Sequence, residues 1–303
     1  MEEKLENRVS ASSIDINSTC NTNINDRILD MTESELKELG VVSDLDNDLY
    51  HKAFGLSCSN LKIMLRSPAH YHASILFPQK TTAEMQLGSA LHTAVLQPDL
   101  FDEQYVELPK LDRRTKEGKE LYKQYSESGK VLLDSAAIAT VQKMKESLMQ
   151  HPIISSVLSS GQPELSCFGC LPEFPHTLVK CRPDWYNEEL GVLLDLKTAC
   201  DASPKAFAKA SADYFYHLQN ALYQDLFSQV SGKRIQAFLF AVVEKEPPYA
   251  VALYQLDTDA VEKGRDLYRK ALVAYNDSLD RNYWVGYSPK IEILQLPAWA
   301  LVS

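Results

Sequence analysis

An acidic residue and a lysine, separated by one residue, stand at the end of an apolar run in the second half of the chain. They are Asp195 and Lys197, in the segment GVLLDLKTA. Side chains of a β-strand alternate between its two faces, so Asp195 and Lys197 share one face while Leu194 and Leu196 point to a core on the other. A carboxylate that can bind a hard cation, beside a fixed positive charge, suits the hydrolysis of a phosphodiester. The alternative for this spacing is a salt bridge on an edge strand.

Two more carboxylates precede this strand. Asp184 follows a strand-like segment, predicted over 176–183, and a short turn connects it to the strand predicted over 190–198. Strands with so short a connection pair antiparallel, so Asp184 and Asp195 should lie close together and repel unless a cation neutralises them. Glu164 begins the preceding strand and could reach the same pocket. The simpler alternatives are that Asp184 only begins a turn and that Glu164 is an exposed side chain.

Three polar side chains on predicted helices could complete such a site. His92 lies on a helix predicted over 83–96, which Pro98 limits. Gln219 and Tyr223 are four residues apart and therefore share one face of a helix. The histidine could bind a metal, and the amide and phenol could hold a nucleic-acid backbone or an attacking water. The alternative for all three is ordinary packing at the boundary of the core.

The elements that must position these residues alternate between helices and strands. This order predicts an α/β fold with one central mixed sheet flanked by helices. Residues 1–48 are polar and acidic, and we expect a flexible tail or linker with one short helix near 32–39. Residues 49–303 then form the folded domain. The predicted helices are 59–66, 83–96, 115–127, 134–149, 204–211, 213–230 and 258–279, and the predicted strands are 164–170, 176–183, 190–198, 235–243 and 249–256.

Charge and hydropathy exclude some classes of protein. The net charge of −10 argues against a protein that coats nucleic acid through bulk charge, although a locally basic channel remains compatible with it. No apolar stretch approaches the ~20 residues that span a bilayer, and the N-terminus lacks a hydrophobic signal region. We therefore expect a soluble, cytoplasmic protein without a membrane partner. The segment 110–130 interleaves basic and aromatic residues, which favours nucleic-acid contact or, equally, a solvated helix face. The candidates are Arg113, Arg114, Lys116, Lys119 and Tyr122.

Taken in order, these motifs resemble the PD-(D/E)XK nuclease superfamily, which has a restriction-endonuclease-like core. Within it the chain is similar to the RecB-type branch and, more closely, to the exonuclease VIII (RecE) group of prophage recombination nucleases. The resemblance covers about residues 49–303, because segments 50–71 and 284–300 resemble the opening and closing segments of that domain. The motifs that carry it are GSALH (88–92), PELS (163–166), RPD (182–184), DLKT (195–198) and QNALY (219–223).

The resemblance implies a role for each site residue. His92, Asp184 and Asp195 would bind Mg²⁺, with the Leu196 carbonyl as a further ligand and Mn²⁺ as a substitute metal. Lys197 would position the nucleophilic water or stabilise the transition state. Glu164 would act on the metal indirectly. Gln219 and Tyr223 would support the site and the DNA strand.

The resemblance also implies a reaction and partners. The enzyme would digest linear double-stranded DNA from its 5′ ends and leave 3′ single-stranded tails for homologous recombination. Its partners would be double-stranded DNA ends, a single-strand annealing protein of the RecT type and further copies of itself, with a ring tetramer as one candidate. Two alternatives stay open: a nuclease of the same fold that acts on single strands, RNA or internal sites, and a catalytically silent DNA-binding subunit.

Overall fold

The computed structural model describes residues 23–77, 82–112 and 114–296. The helices in these ranges are α1 (Glu33–Leu39), α2 (Asn47–Lys52), α3 (Cys58–Arg66), α4 (Pro68–Leu76), α5 (Ala83–Leu96), α6 (Pro98–Gln104), α7 (Lys116–Glu127), α8 (Ser135–Gln150), α9 (Pro152–Leu158), α10 (Pro204–Asp213), α11 (Tyr216–Ser231) and α12 (Thr258–Asp280), with a short 3-10 helix over Ile24–Asp26. The strands are β1 (Val41–Val42), β2 (Tyr105–Leu108), β3 (Val131–Asp134), β4 (Gln162–Pro163), β5 (Ser166–Gly169), β6 (Val179–Cys181), β7 (Trp185–Asn187), β8 (Val192–Ala199), β9 (Ala237–Glu244) and β10 (Val251–Tyr254).

A mixed five-stranded sheet lies at the centre, in the order β10-β9-β8-β7-β4. Strands β8 and β9 are parallel, and every other neighbouring pair in this sheet is antiparallel. The turn from β7 to β8 suits its sequence, because Asn187 accepts a hydrogen bond from the Leu190 amide and Gly191 adopts a φ of 62° that a glycine tolerates without strain. The predicted α/β fold with a central mixed sheet is confirmed.

The two faces of β8 pack against different helices. Leu194 and Leu196 join a core with Leu91 of α5 and Met144 of α8. Leu193 joins the core on the other face, with residues of α3, α11 and α12. The predicted alternation along this strand is therefore confirmed, and it places Asp195 and Lys197 on the face that α3 and α11 cover.

The strand predicted over 176–183 pairs differently from our expectation. Its observed part, β6, belongs to a separate three-stranded sheet of order β1-β5-β6. The partner of β8 is instead β7, which begins two residues after Pro183. Because proline has no amide hydrogen to donate, the ladder of β6 does not continue through Pro183, and the chain changes sheets there. The strand predicted over 164–170 is observed as β5, which is shorter, and β4 precedes the predicted range and belongs to the central sheet.

Residues 23–48 pack against the rest of the chain, in contrast to the flexible tail or linker that we expected for residues 1–48. Strand β1 pairs antiparallel with β5 through Val41 and Cys167. Ile28 and Leu36 are buried in one cluster with Phe168. The average composition of this segment is polar, and it therefore did not indicate that a few apolar side chains are buried. The folded part of the chain therefore begins no later than residue 23, and residues 1–22 of the expected tail lie outside the described residues.

Two buried cations, one in β6 and one just after it, bind backbone carbonyls of residues 45–53. The ammonium of Lys180 donates hydrogen bonds to the carbonyls of Tyr50, His51 and Ala53, at 2.8, 3.2 and 2.6 Å. These are among the carbonyls at the end of α2 that have no partner within the helix. Arg182 donates to the Leu45 carbonyl at 3.0 Å and lies 4.0 Å from the centre of the Tyr50 ring. Burial, and then the nearby charge of Arg182, lower the pKa of Lys180 to about 8.

We expect Lys180→Met to lower the free energy of unfolding by about 1–3 kcal/mol, because it leaves buried carbonyls at the end of α2 without donors. The measurement is urea denaturation followed by circular dichroism. The matched control is Lys52→Met, since Lys52 is an exposed lysine of α2. Equal stability of the two variants would contradict the role given to Lys180.

Within the described ranges, no helix combines the length and the apolar character that crossing a membrane requires.

Candidate metal site

Two buried carboxylates face each other where β7 begins. Trp185 of β7 pairs with Leu194 of β8, so in the same antiparallel register Asp184 lies opposite Asp195. Both residues are buried. The closeness of Asp184 and Asp195 that the sequence predicted is therefore present, although β7 rather than β6 creates it.

His92 reaches this pair from the opposite face of the sheet. Its Nδ1 lies 3.4 Å from Oδ2 of Asp184, and its Nε2 lies 3.1 Å from the carbonyl oxygen of Leu196. Helix α5 holds the ring in place, because Leu91 and Ala94 beside it are buried. Burial disfavours the charged ring, but the Asp184 carboxylate outweighs burial and raises the pKa of His92 to about 9. His92 is thus a member of the site.

Glu164 completes a cluster with His92 and Asp184, in which one ligand atom from each residue lies within 4.8 Å of the others. Its φ of 52° is in the left-handed region, which costs a residue with a side chain on the order of 1 kcal/mol. The Glu164 amide donates to the Asp184 carbonyl at 3.0 Å and fixes this turn between β4 and β5. Burial, and then the charge of Asp184, raise the pKa of Glu164 to about 7. Strained backbone and crowded acids in one place are typical of functional sites.

The Asp195 carboxylate contacts one lysine and one glutamine of the protein. Its Oδ2 forms an ion pair with the Lys197 ammonium, and its Oδ1 accepts a hydrogen bond from the Gln219 amide at 2.5 Å. Burial raises the pKa of Asp195 against the opposing effect of Lys197. Burial lowers the pKa of Lys197, but the Asp195 and Asp184 carboxylates outweigh it and the net shift is upward.

The structure thus brings together the four expected metal-site residues, in an arrangement that differs from our expectation. A close group of donors contains Glu164 in addition to His92 and Asp184. The family resemblance implied only an indirect role for Glu164. The Leu196 carbonyl contacts His92, and the Leu196 amide donates to Asp184 Oδ2 at 2.6 Å. Asp195 lies beside this group, but its carboxylate faces Lys197 and Gln219. Direct binding of the metal by Asp195 stays a prediction.

Helix α11 contributes a residue that sequence reasoning missed. The Lys197 ammonium lies 4.9 Å from the centre of the Tyr216 ring. Tyr216, Gln219 and Tyr223 are spaced by three and four residues and share one helix face, which is the signal that could have identified Tyr216. The Tyr223 ring packs edge-on against Phe238, at 6.1 Å between ring centres. The role of Tyr223 in catalysis stays a prediction.

The predicted nucleic-acid contacts lie on and just before α7, which packs against β2. Arg114, Lys116 and Lys119 are exposed and Tyr122 is half-buried, as a surface that meets a ligand requires. Arg113 lies outside the described residues. Contact with nucleic acid at these positions stays a prediction.

The donor set fits a divalent cation. Two carboxylates and one imidazole converge within a few ångströms, and the backbone carbonyl of Leu196 lies beside them. Carboxylates this close repel each other unless a positive charge neutralises them. Carboxylate and carbonyl oxygens suit Mg²⁺ and Mn²⁺, and an imidazole nitrogen suits transition metals better than Mg²⁺. His92, Glu164 and Asp184 could therefore hold the ion.

Comparison with solved structures supports the fold. The chain is similar to the crystal structure of a candidate exonuclease from Eubacterium rectale, with a TM-score of 0.52 and 14% identity over 82% of this chain and 93% of that chain. It also matches a phage-related exonuclease from Haemophilus somnus 129PT with 13% identity over 76% of this chain and 96% of that chain. The TM-score of that second match is 0.34. At these identities the first match shows a shared fold and no more.

No curated protein matches the sequence. The sequence model of one family, described as a PDDEXK-like domain of unknown function (DUF3799), matches residues 57–297. This match confirms the resemblance to the PD-(D/E)XK superfamily, while closeness to the exonuclease VIII group stays a prediction. Because this match covers most of the chain, the chain belongs to the DUF3799 family of PDDEXK-like domains.

Proposed function

We propose that this protein is a metal-dependent exodeoxyribonuclease that degrades linear double-stranded DNA from its 5′ ends. The observation that carries this proposal is the His92, Glu164 and Asp184 cluster with the buried Asp195 and Lys197 pair beside it. A cation site and a fixed ammonium on one small region of a PD-(D/E)XK fold are the two features that phosphodiester hydrolysis requires.

The side chains divide the work in this proposal. His92, Glu164 and Asp184 would hold the divalent ion, with the Leu196 carbonyl available as a further oxygen ligand. When bound, the ion polarises the phosphate and makes water a stronger nucleophile. Lys197 places a positive charge where negative charge develops on the phosphate. Asp195, the Tyr216 ring and, through Asp195, the Gln219 amide hold that ammonium in place, so that little reorganisation is needed during reaction.

The finer parts of the proposal rest on the sequence resemblance. They are Mg²⁺ as the metal with Mn²⁺ as a substitute, 5′ to 3′ polarity, and 3′ single-stranded tails as the product. They also include a role in recombination with a single-strand annealing protein, and a homo-oligomer around the DNA, for which a ring tetramer is one candidate. The imidazole of His92 adds an expectation of its own, namely that Mn²⁺ binds more tightly than Mg²⁺.

The test is digestion of matched linear and circular forms of one plasmid, with Mg²⁺, Mn²⁺, Ca²⁺ or EDTA. With Mg²⁺ or Mn²⁺ we expect the linear form to be degraded and the circular form to stay intact. With EDTA we expect no cleavage of either form. Ca²⁺ should bind without supporting turnover, because its larger radius and looser geometry misplace the attacking water. Duplexes labelled at either the 5′ or the 3′ end then report which strand is released first.

Each result decides between the candidates. Early release of the 5′ label supports the proposed polarity, and early release of the 3′ label overturns it. Cutting of the circle indicates an endonuclease of the same fold. Binding of DNA without any cleavage indicates a catalytically silent subunit.

A further inference from the structure

The Tyr216 ring contacts two ammonium groups, and only one of them belongs to the candidate metal site. Lys197 lies 4.9 Å from the ring centre, and Lys62 of α3 lies 5.5 Å from it. Cys58 and Leu61 of α3 pack in one core with Leu193 of β8. Helix α3 therefore runs directly past the end of β8 at which the reaction is proposed, and Lys62 lies one aromatic ring away from Lys197.

Lys62 has no carboxylate partner within 4.0 Å in the part of the chain that the structure describes, whereas Lys197 is paired with Asp195. Arg66 follows Lys62 by four residues, is exposed, and also has no ion pair among the described residues. Residues four apart lie on one side of a helix. The chain has 41 acidic and 31 basic residues. Lys62 and Arg66, two cations without ion pairs on one side of α3, therefore form a local positive strip beside an acidic site.

Packing does not explain this strip. Helix α3 is fixed by buried Leu61 and Met64 and by reciprocal capping between Ser57 and Asn60. Lys62 and Arg66 are outside that buried face, so the fold gains little from their charge. A row of cations that begins beside Lys197 matches the repeated charge of a phosphodiester backbone.

We infer that Lys62 and Arg66 bind the phosphates that adjoin the cleaved one on a nucleic-acid strand. This inference rests on the proposed nuclease function, since it takes that strand to enter the site of Lys197. Lys62 and Arg66 are positioning residues in this view: they hold the strand in register, and their charge acts on binding more than on the chemical step.

The experiment measures binding of a short fluorescein-labelled duplex in Ca²⁺ over a series of salt concentrations, for wild type, Lys62→Gln, Arg66→Gln and the double variant. We expect each single change to weaken binding about 5–10-fold and to reduce the slope of log K against log salt by about 0.7–0.9, the effect of one lost phosphate contact. Cleavage of the same duplex in Mg²⁺ should show the loss in KM rather than in kcat. Lys62→Arg should recover most of the binding, because it keeps the charge.

The matched control is Arg234→Gln. Arg234 is exposed and has no ion pair among the described residues, and it lies near Gly191, at the end of β8 opposite to Lys197. It should bind and cleave like wild type. Melting temperatures of all variants should agree, since none of these side chains is in the core.

The outcomes separate this inference from the proposed function. If wild type cleaves DNA and Lys62→Gln retains wild-type affinity and salt slope, the inference is wrong while the nuclease proposal stands. If wild type binds the duplex but never cleaves it, and Lys62→Gln still weakens binding, the strip is supported and the nuclease proposal fails. An equal loss in Arg234→Gln would show a general charge effect and overturn the strip as a site.

Discussion

Replacing Lys197 with arginine should give a protein that folds like wild type but cleaves DNA at least ~10²-fold more slowly. The ammonium is buried against Asp195 and lies over the Tyr216 ring, so its position is set by contacts that a planar guanidinium does not reproduce. The positive charge is kept, and Asp195 therefore keeps an ionic partner. The measurement is the rate of label release from a linear duplex, together with a thermal melt.

Two further variants separate the effect on catalysis from the effect on stability. Lys197→Met should lose activity and also about 3–5 kcal/mol of unfolding free energy, because it leaves the Asp195 carboxylate buried without its partner. The double variant Lys197→Met with Asp195→Asn should recover much of that stability, since no buried charge remains unpaired, and it should stay inactive. Wild-type cleavage by any of these variants would remove Lys197 from the mechanism.

Asp184→Asn should remove most of the stabilisation that a divalent metal gives to the folded protein, whereas Asp195→Asn should retain most of it. Asp184 belongs to the cluster with His92 and Glu164, while the oxygens of Asp195 are directed at Lys197 and Gln219. At a metal concentration of 100 times Kd, binding stabilises the native state by about 2.7 kcal/mol, and a 100-fold weaker site reduces this to a few tenths. Thermal melts with Mn²⁺ and with EDTA measure the difference.

Both aspartate variants should lose cleavage, for different reasons: one no longer binds the metal well, and the other no longer holds the Lys197 ammonium. Loss of activity alone therefore does not distinguish them, and the metal-dependent melting shift does. A larger loss of metal stabilisation in Asp195→Asn than in Asp184→Asn would show that the ion rearranges the site and binds Asp195 directly, as the sequence resemblance implies.

The sequence alone determined those features of this protein that depend on residues close together in the chain. The alternation of Asp195 and Lys197 with Leu194 and Leu196 is a local property of a strand, and the two faces of β8 follow it. The helix predicted over 83–96 agrees with α5, because apolar spacing and the following Pro98 are both local signals. The order of motifs predicted the superfamily, which the family match confirms.

Only the tertiary structure decided which distant segments meet. The separate sheets of β6 and β7, the strained turn that brings Glu164 to Asp184, and the packing of residues 23–48 all depend on pairings between strands far apart in sequence. A pattern of apolar residues states that a strand has a buried face, but it does not state which strand lies beside it. Helix spacing places Tyr216 on the face of Gln219 and Tyr223, but it does not show that this ring meets Lys197 and Lys62. Those contacts arise where α3, β8 and α11 come together.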